Sequence, residues 1–290
     1  MFEILRSPPA MQQWSQKKHS DGKTIGFVPT MGALHSGHTG LIDASMAEND
    51  LTVVSIFVNP TQFSAGEDFE KYPRNYDADS EKLRQTGVDA LYFPESSDMY
   101  PDSFATFIDV RGISGKLCGA FRPGHFTGVA TVVAKLFNIV LPARAYFGLK
   151  DYQQCVVIRK MVSDLNMPVM LRFCETLREH DGLAMSSRNI YLNEEQRGNA
   201  TVVYKALCKA QTLIEKGLLK FKDAADVMMQ ILNSSVHVSE VQYSSVYDPE
   251  SLDDIAEHFT EPYSGKTVVL AIAVKIGNTR LIDNLIIAVP

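Results

Sequence analysis

Two histidines separated by a serine and a glycine, His35 and His38, stand shortly after an apolar run at residues 24–28. The run is typical of a buried strand, and apolar residues at helical spacing after it predict a helix that begins near Gly37 or His38. Residues three apart on a helix point to one side. The first turn of a helix leaves backbone N–H groups unpaired and readily binds phosphate. Two imidazoles beside such a turn suit the stabilisation of charge during phosphate transfer.

Glycines flank this pair and open the loop to a ligand. Gly32 and Gly37 lack a side chain, so a bulky group can approach the main chain closely. The alternative is an ordinary strand–loop–helix turn with two incidental surface histidines. The position directly after a strand favours the first interpretation. The motif resembles the His-x-Gly-His of nucleotidylyl transferases and class I aminoacyl-tRNA synthetases, which activate their substrates at the α-phosphate of ATP.

Polar residues follow two further predicted strands. Asn59 and Gln62 come after the run 52–58, and an amide offers both a donor and an acceptor to a substrate with hydroxyl and carboxylate groups. Lys150 and Asp151 follow a short strand pattern in the same way. A lysine there can bring a compact charge to a phosphate, and the aspartate can cap a helix. The alternatives are a turn cap in the first case and a surface lysine beside an N-cap in the second.

A later loop combines two hydroxyls and a guanidinium, from Ser186, Ser187 and Arg188. Such a loop can wrap phosphates and close over a site, although a plain interdomain linker would have a similar composition. Arg122 precedes a Pro-Gly-His turn and supplies either a cation for a substrate carboxylate or only part of the turn. Together these clusters place donors and cations at the ends of successive strands.

The length and composition of the chain restrict which kinds of protein it can be. A chain of 290 residues forms one large or two modest domains, and its net charge of −6 argues against a nucleic-acid binder. The four cysteines (Cys118, Cys155, Cys174 and Cys208) form no Cys-x-x-Cys pair and fit buried residues of a reducing compartment. The first residues lack a signal-peptide pattern, and the apolar runs are too short to span a bilayer. We therefore expect a cytoplasmic protein without a membrane or nucleic-acid partner.

Strand and helix patterns alternate over the first half of the chain. Strands are predicted at residues 24–28, 52–58, 90–93, 104–110, 145–147 and 169–174, with helices at 77–85, 128–140 and 152–165. Later come helices at 193–216 and 223–232 and strands at 241–247, 267–275 and 280–287, the last two joined by a Gly-Asn hairpin. We predict an α/β fold, with a Rossmann-like parallel sheet domain (residues 1–184) followed by a smaller α+β domain (residues 185–290). Ligands of such sheets bind at the carboxyl ends of the strands.

Longer motifs carry a closer resemblance. They are Pro-Thr-Met-Gly-Ala-Leu-His-x-Gly-His at 29–38, Phe-Val-Asn-Pro-x-Gln-Phe at 57–63, Tyr-Pro-Arg at 72–74, Gly-His-Phe-x-Gly-Val-x-Thr-Val-Val-x-Lys-Leu-Phe-Asn at 124–138, Tyr-Phe-Gly-x-Lys-Asp-x-Gln-Gln at 146–154, Asp-Gly-Leu-Ala-Met-Ser-Ser-Arg-Asn at 181–189 and Thr-Arg-Leu-Ile-Asp-Asn at 279–284. By this set, which covers nearly the whole chain, the sequence resembles the pantothenate synthetase (pantoate–β-alanine ligase) family.

The resemblance implies a Rossmann-type N-terminal domain, a lid-like C-terminal domain and a homodimer. The residues implied to contact ATP are Met31, Gly32, Ala33, Leu34, His35, Ser36, Gly37, His38, Gly148, Leu149, Lys150, Asp151, Leu177, Met185, Ser186, Ser187 and Arg188. Those implied or proposed to hold pantoate are Gln62, Gln154, Asn59 and Arg122. The catalytic candidates are His35, His38, Lys150, Ser186, Ser187 and Arg188. Ser36, Thr39 and Leu149 depart from the residues usual in the family, which puts fine tuning in doubt and not the reaction.

The implied reaction has two steps. The pantoate carboxylate attacks the α-phosphorus of MgATP and releases pyrophosphate; the β-alanine amine then attacks the pantoyl adenylate and gives pantothenate and AMP. Magnesium arrives with ATP, and Asp79 is a candidate to hold it through water. The alternatives are a transferase that moves AMP to a phosphomonoester, a catalytically silent Rossmann module and, least favoured, a tRNA synthetase.

Overall fold

The fold was taken from a computed structural model, which describes residues 2–64, 66–217, 220–256 and 265–290. The strands are β1 (Glu3–Leu5), β2 (Ile25–Thr30), β3 (Leu51–Ile56), β4 (Ala90–Tyr92), β5 (Arg144–Gly148), β6 (Met170–Cys174), β7 (Val238–Tyr247), β8 (Thr267–Ile276) and β9 (Thr279–Ala288). The α-helices are α1 (Pro8–Ser20), α2 (Ser36–Glu48), α3 (Tyr76–Thr86), α4 (Ser96–Met99), α5 (Cys118–Phe121), α6 (His125–Val140), α7 (Tyr152–Asp164), α8 (Glu194–Asn199), α9 (Val202–Glu215) and α10 (Phe221–Asn233). Short 3₁₀ helices cover Pro60–Gln62, Ile113–Gly115, Leu149–Asp151 and Ser187–Tyr191.

The chain folds as two compact units. The first comprises Met1–Gly115, Arg122–Leu149 and Gln154–Glu175, and the second comprises Lys116–Phe121, Lys150–Gln153 and Thr176–Pro290. These units are defined by packing within the chain. The predicted domain boundary between residues 184 and 185 stays a prediction. Within the described ranges, none of the helices has both the length and the apolar character that a membrane crossing requires.

A six-stranded parallel sheet forms the centre of the first unit, in the order β1-β4-β3-β2-β5-β6. From β2 the chain adds β3 and β4 on one side and then returns to add β5 and β6 on the other. The direction of winding therefore reverses between β2 and β5. In open parallel sheets the crevice beyond the carboxyl ends of such a strand pair is where ligands bind.

Close packing of helices fixes the elements around this crevice. Helix α2 buries Leu41 and Ile42 in a cluster with residues of β2, β3 and β4. Gly26 in β2 permits this contact, because a Cβ there would overlap Ser45 Oγ of α2. Gly128 of α6 has the same role, because a Cβ there would overlap the carbonyl oxygen of Thr61. Gly26 thus lets α2 pack close to β2, and Gly128 lets α6 pack close to the polar turn at Thr61.

A three-stranded antiparallel sheet, in the order β7-β8-β9, forms the second unit with α9 and α10. Its core includes Leu207, Met228, Val246 and Leu270, all fully buried or nearly so. The predicted hairpin is confirmed, since Ile276 pairs with Thr279 across a two-residue turn. The parallel sheet with its helices and this smaller unit confirm the predicted fold class.

The structure differs from the predicted elements in three places. The helix predicted at residues 193–216 is two helices, α8 and α9, because Thr201 Oγ1 bonds the Gly198 carbonyl oxygen and the Val203 N–H bonds Ala200, three residues back. Within the described part of the chain, the predicted strand at 104–110 pairs with neither sheet. Strand β1 and helix α1 were not predicted, although Ser7 before Pro8 is an N-cap pattern.

Candidate functional site

An aspartate clamps the loop between β2 and α2. Asp79 of α3 is 5% exposed, and its two carboxylate oxygens accept the backbone N–H groups of Ala33 and Leu34, each at 2.8 Å. Lys82, one turn further along α3, donates to the carbonyl oxygen of Leu34. Ala33 adopts a left-handed conformation, with a φ of 52°. The clamp therefore holds a loop geometry that the residues themselves do not prefer.

The glycine before this clamp is required by both space and conformation. Gly32 has a φ of +85°, and a Cβ there would lie 3.1 Å from both Asp79 Oδ2 and Ile56 Cγ2. Its N–H bonds the hydroxyl of Thr30, which itself donates to the carbonyl oxygen of Ser55 at 2.7 Å. The loop is thus tied to β3 as well as to α3.

The two histidines cap the helix that they begin. The N–H of Gly37 donates to Nδ1 of His35 at 3.1 Å, and the N–H of His35 donates to Nδ1 of His38 at 3.3 Å. The ring centroids lie 4.1 Å apart. A backbone N–H can only donate, so Nδ1 is the acceptor in both rings, and a neutral ring then carries its proton on Nε2. The loop therefore selects the Nε2–H tautomer of both histidines.

This cap corrects one expectation from the sequence. The first turn of α2 was expected to offer several unpaired N–H groups, but Gly37 donates to the ring of His35, and His38 and Thr39 donate to the His35 carbonyl oxygen. Histidine acts as an N-cap because its Nδ1 reaches the same N–H that a serine or aspartate oxygen would bind. The Nε2–H groups of the two imidazoles are therefore the side-chain donors to consider for an anion at this turn.

Gly148 lies at the carboxyl end of β5, the strand that pairs with β2. No heavy atom of the described chain lies within 4 Å of a Cβ built there. The structure therefore brings the predicted loop at residues 31–38 and Gly148 to neighbouring strand ends of the first unit. They lie at the crevice where the winding of the sheet reverses. This position agrees with the prediction that both contact the same ligand.

A chain of amides fixes the orientation of Gln62. Asn59 is 1% exposed, and its Oδ1 accepts the N–H of Thr61 and the hydroxyl of Tyr100. Because the Thr61 N–H can only donate, the other end of the Asn59 amide is Nδ2, which donates to Gln62 Oε1 at 3.1 Å. The acceptor of Gln62 is therefore used within the chain, and its Nε2–H₂ group points away from Asn59.

The Nε2 group of Gln62 has a weak partner. It lies 3.1 Å from the sulfur of Met31, although Gln62 is only 9% exposed. A thioether is a poor acceptor, so a substrate oxygen would replace it at a gain. Gln154, the second predicted pantoate residue, lies half-buried in the first turn of α7. Asn59 itself has the turn-cap role that was the alternative, and its direct contact with a substrate stays a prediction.

Arg122 is neutralised by a carboxylate. Its guanidinium bonds Glu67 twice, each at 2.6 Å, and lies 3.1 Å from Nε2 of His125. Burial alone would raise the pKa of Glu67, but the hydrogen bonds and charge of Arg122 outweigh it and lower that pKa below its usual value. Arg122 and His125 also donate to the backbone carbonyl oxygen of Gln62. In this structure Arg122 positions Gln62, and its predicted contact with a substrate carboxylate remains a prediction.

Lys150 belongs to the second unit. Its Nζ lies 3.8 Å from Asp151, and its carbonyl oxygen accepts the side-chain amide of Asn284 from β9. The neighbouring Gln153 is buried and bonds the backbone of Lys116 and Cys118. These contacts tie the start of α7 to the rest of the second unit.

The predicted loop with Ser186, Ser187 and Arg188 follows a small hairpin, bridged between Arg178 and Ala184 and held by ion pairs. Leu177, whose side chain is exposed, accepts the N–H of Met185 at 3.0 Å. Arg178 forms a bidentate pair with the buried Asp283 at 2.6 and 3.0 Å, and its guanidinium stacks 4.0 Å from the ring centroid of Tyr204. Ser186 caps the following 3₁₀ helix by accepting an N–H.

A second arginine fixes the turn of this hairpin. Arg197 of α8 donates to Asp181 at 2.8 Å and to Glu179 at 2.6 Å. The hydrogen bond from Arg197 lowers the pKa of Asp181. Asn189 donates to Glu179 as well, at 3.1 Å. The segment that carries the two predicted serines and Arg188 therefore follows a hairpin that charged pairs hold in place.

Comparison with known proteins identifies the family. The family model for pantoate-beta-alanine ligase matches residues 3–286. A pantothenate synthetase of Thermodesulfovibrio yellowstonii is 52% identical over 286 residues, covering 99% of this chain and 100% of the relative. The chain belongs to the pantoate-beta-alanine ligase family. It is therefore an enzyme, a ligase of pantothenate biosynthesis, and the resemblance found in the sequence is confirmed.

Solved structures of the ligase family have the same fold. Pantothenate synthetase from Thermus thermophilus matches with a TM-score of 0.90 at 40% identity, covering 98% of each chain. The Francisella tularensis ligase, complexed with beta-gamma ATP and beta-alanine, matches with a TM-score of 0.77 at 33% identity, covering 98% of this chain and 97% of that chain.

Several supporting residues of this ligase were missed by the sequence analysis. Lys82, the Arg178–Asp283 pair and the turn contacts of Arg197 had no predicted role, and Asp79 was a candidate for holding magnesium but not for clamping the loop. Asp283 carried a readable signal, because it is an acid in the middle of a strand between the apolar pairs Leu281-Ile282 and Leu285-Ile286. The others depend on partners far away in the sequence.

The described residues also bear on magnesium. Among them, no group of three or more His, Cys, Asp or Glu side chains is placed to hold a metal ion. Magnesium commonly binds through nucleotide phosphates and only one or two carboxylates, so the site fits an ion that arrives with ATP. Both oxygens of Asp79 already accept a backbone N–H, so the predicted link from Asp79 to magnesium would pass through water.

Proposed function

We propose that this ligase condenses (R)-pantoate with β-alanine in two steps. A pantoate carboxylate oxygen attacks the α-phosphorus of ATP, the bond to the bridging oxygen breaks, and pyrophosphate leaves. The β-alanine amine then attacks the acyl carbon of the pantoyl adenylate, and pantothenate forms as AMP leaves with the bond electrons. The family supports the overall reaction, and a relative complexed with a form of ATP and with beta-alanine supports both substrates.

One observation carries the proposal: both histidines at the start of α2 accept at Nδ1, so a neutral ring carries its proton on Nε2. Adenylate formation adds charge to the oxygens of the α-phosphate. Neutral N–H donors fixed before the reaction stabilise such charge without first having to reorganise. We assign His35 and His38 this role toward the phosphates of ATP.

The substrate acid meets donors as well. With its Oε1 bound to Asn59, Gln62 offers only N–H groups, which fit a carboxylate or hydroxyl oxygen of pantoate. We propose that Gln62 and Gln154 hold pantoate, while Arg122 and Asn59 keep Gln62 in place. No side-chain nucleophile is needed, because the carboxylate of the substrate attacks directly.

The second unit supplies the cations. We propose that Lys150 and Arg188 offset phosphate charge and that Ser186 and Ser187 donate to phosphate oxygens. The remaining ATP contacts are those expected from the family: Met31, Gly32, Ala33, Leu34, Ser36, Gly37, Gly148, Leu149, Asp151, Leu177 and Met185. Magnesium, when bound with ATP, would neutralise phosphate charge. A lid-like second domain, a homodimer and a cytoplasmic location complete the proposal.

Exchange of labelled pyrophosphate into ATP tests the order of the steps. With pantoate present and β-alanine absent, the two-step scheme predicts exchange, and His38→Ala should slow it about 10²–10³-fold. Exchange that needs β-alanine would contradict a free adenylate step. ADP as product would indicate acyl phosphate chemistry, and transfer of AMP to a phosphomonoester would indicate the alternative transferase. No product at all would indicate a silent module.

A further inference from the structure

The motif at residues 279–284 contacts no substrate in the proposed reaction, yet it places two polar side chains in the interior. Asp283 is 4% exposed and Asn284 is 6% exposed, and both lie in strand β9. A buried polar side chain costs free energy unless it is hydrogen-bonded, so the partners of these two residues indicate what they are for. Those partners lie in two separate segments of the second unit. Each segment leads to a residue proposed to meet the phosphates of ATP.

Asn284 holds the main chain of Lys150. Its Nδ2 donates to the carbonyl oxygen of Lys150 at 2.9 Å, and a carbonyl oxygen can only accept, so the amide nitrogen is the atom that faces it. Lys150 begins the segment Lys150–Gln153, which packs with the second unit, whereas the chain before and after it packs with the first. The hydrogen bond from Asn284 therefore fixes the point from which the Lys150 side chain extends.

The other end of this segment is tied to the same motif. The N–H of Cys118 donates to Gln153 Oε1 at 2.9 Å. The sulfur of Cys118 accepts from the guanidinium of Arg280, the second residue of the motif, at 3.3 Å. The segment that carries Lys150 is thus held at both ends by contacts that lead back to β9.

Asp283 holds the hairpin that leads to Arg188. The guanidinium of Arg178 donates to both oxygens of Asp283, at 2.6 and 3.0 Å, and to the carbonyl oxygen of Gly182 in the turn, at 3.1 Å. Arg178 also pairs with Ala184 across the hairpin. Because Asp283 binds the arginine that spans the hairpin, it sets the position from which the loop at residues 186–188 continues.

The two anchors are joined to each other. Asp283 Oδ1 accepts the N–H of Asn284 at 2.8 Å, and Arg178 donates to the carbonyl oxygen of Asn284 at 3.3 Å. Burial raises the pKa of Asp283, whereas the hydrogen bonds and charge of Arg178 and the charge of Lys150 oppose this rise. The Lys150 charge and the anchor of the hairpin therefore lie within electrostatic reach of one carboxylate.

We infer that Asp283 and Asn284 are positioning residues for adenylate formation. Asn284 acts through Lys150, and Asp283 acts through the hairpin that leads to Arg188. The inference rests on the proposed function, in which Lys150 and Arg188 offset phosphate charge. Two cations anchored to neighbouring residues of one strand keep a fixed spacing, and groups fixed before the reaction stabilise the transition state without reorganising. A misplacement of about 1 Å at such a group costs on the order of 10²-fold in rate.

A double-mutant cycle tests the first anchor. Asn284→Ala removes the donor to the Lys150 carbonyl oxygen and should slow single-turnover pyrophosphate release, at saturating ATP and pantoate, by about 10–10²-fold. The pantoate dissociation constant should stay within about twofold, because Gln62 lies in the first unit. In a Lys150→Ala protein, Asn284→Ala should cause no further loss beyond about twofold. Losses that multiply would show that Asn284 does not act through Lys150 and would overturn the inference.

A second cycle tests the other anchor without relying on the folding of Asn284→Ala. Arg178→Lys keeps the charge beside Asp283 but cannot bind both of its oxygens. It should slow pyrophosphate release about 10-fold, and this effect should disappear in an Arg188→Ala protein. The matched control is Leu281→Ala, a core residue of the same strand, which should stay within about threefold of the wild-type rate. A loss at Leu281→Ala equal to that at Asn284→Ala would assign the effect to packing and overturn the inference.

The same samples separate the inference from the proposed function. A wild-type protein that releases no pyrophosphate from ATP and pantoate would refute the proposed function. A wild type that reacts, with Lys150→Ala and Arg188→Ala slow but Asn284→Ala and Arg178→Lys as fast as the wild type, would leave the proposed function standing and overturn only the positioning role.

Discussion

Replacement of Asp79 by asparagine tests whether the clamp on the catalytic loop matters for the reaction. The wild type is the reference, and Asp79→Asn keeps the shape of the side chain and one of its oxygens. It puts an NH₂ group against a backbone N–H of Ala33 or Leu34, where each oxygen of the native side chain now accepts at 2.8 Å. At 5% exposure, water does not replace the lost acceptor. One loop N–H is left unpaired, and the other hydrogen bond loses its charge.

The magnitude follows from those two bonds. Hydrogen bonds to a charged group contribute about 1.5–3 kcal/mol each and neutral ones about 1 kcal/mol, so the variant should lose about 2–5 kcal/mol. The melting temperature should fall by several degrees. The loop carries His35 and His38, and a displacement of about 1 Å at a catalytic group costs on the order of 10²-fold in rate. Single-turnover pyrophosphate release at saturating ATP and pantoate should slow by that factor.

Asp77→Asn is the matched control. Asp77 lies in the same first turn of α3 and is exposed, so its replacement removes the same charge near the helix start without touching the loop. It should change stability by less than about 0.5 kcal/mol and leave the rate alone. Nitrogen chemical shifts of His35 and His38 should report the Nε2–H tautomer in the wild type. If Asp79→Asn proved as fast as Asp77→Asn, the clamp would be only structural and the reasoning refuted.

Three further changes test the amides, the charge pair and the lysine. Gln62→Leu keeps the volume but removes the outward N–H, so the pantoate dissociation constant measured by calorimetry should rise about 5–150-fold, equivalent to about 1–3 kcal/mol, while that of ATP stays unchanged; an unmoved pantoate constant would place the substrate elsewhere. Because Arg122 lowers the pKa of Glu67, the pair stabilises the protein above the ordinary carboxyl value of 4.5 and is lost as pH falls through the lowered pKa. The melting temperature of Glu67→Gln should therefore lie below that of the wild type at pH 7, with the gap closing below pH 4.5, and a gap constant with pH would assign it to packing. Lys150→Ala should slow single-turnover pyrophosphate release about 10²-fold at saturating ATP, and an unchanged rate would leave Lys150 a ground-state contact.

Much of the fold could be predicted because central strands such as β2 and β3 are buried on both faces. Strands of a covered parallel sheet appear as apolar runs, and the helices between them have their own period. Strand β1 has only three residues, two of them exposed, and gave no such pattern. The segment at 104–110 shows the reverse case. Its alternation predicted a strand, and within the described part of the chain it pairs with neither sheet, because pairing depends on what lies beside the segment.

The candidate site shows the same difference between residues that local sequence identifies and residues that depend on distant contacts. Residue types near strand ends, such as His35, Gln62 and Lys150, could be found in the sequence because spacing and motif mark them. Their supports could not, since Asp79 lies 46 positions from Ala33 and Asp283 lies 105 positions from Arg178. The cap by His35 was missed for a different reason, because serine, threonine, aspartate and asparagine are the usual N-cap residues.

The supports of the first unit share one physical device. A backbone N–H, which can only donate, stands at the start of each chain of contacts: Gly37 for His35, His35 for His38, and Thr61 for Asn59 and hence Gln62. Both rings and the Gln62 amide therefore use their acceptor within the chain and carry their N–H on the opposite atom. ATP and pantoate both present oxygens with negative charge. Neutral donors set in this way gain strength as that charge grows in the transition state, and they escape the desolvation that an unpaired buried cation would suffer. Where the first unit does place an arginine next to Gln62, a carboxylate neutralises it. In the first unit, oriented neutral N–H donors therefore take the place that an unpaired cation would have.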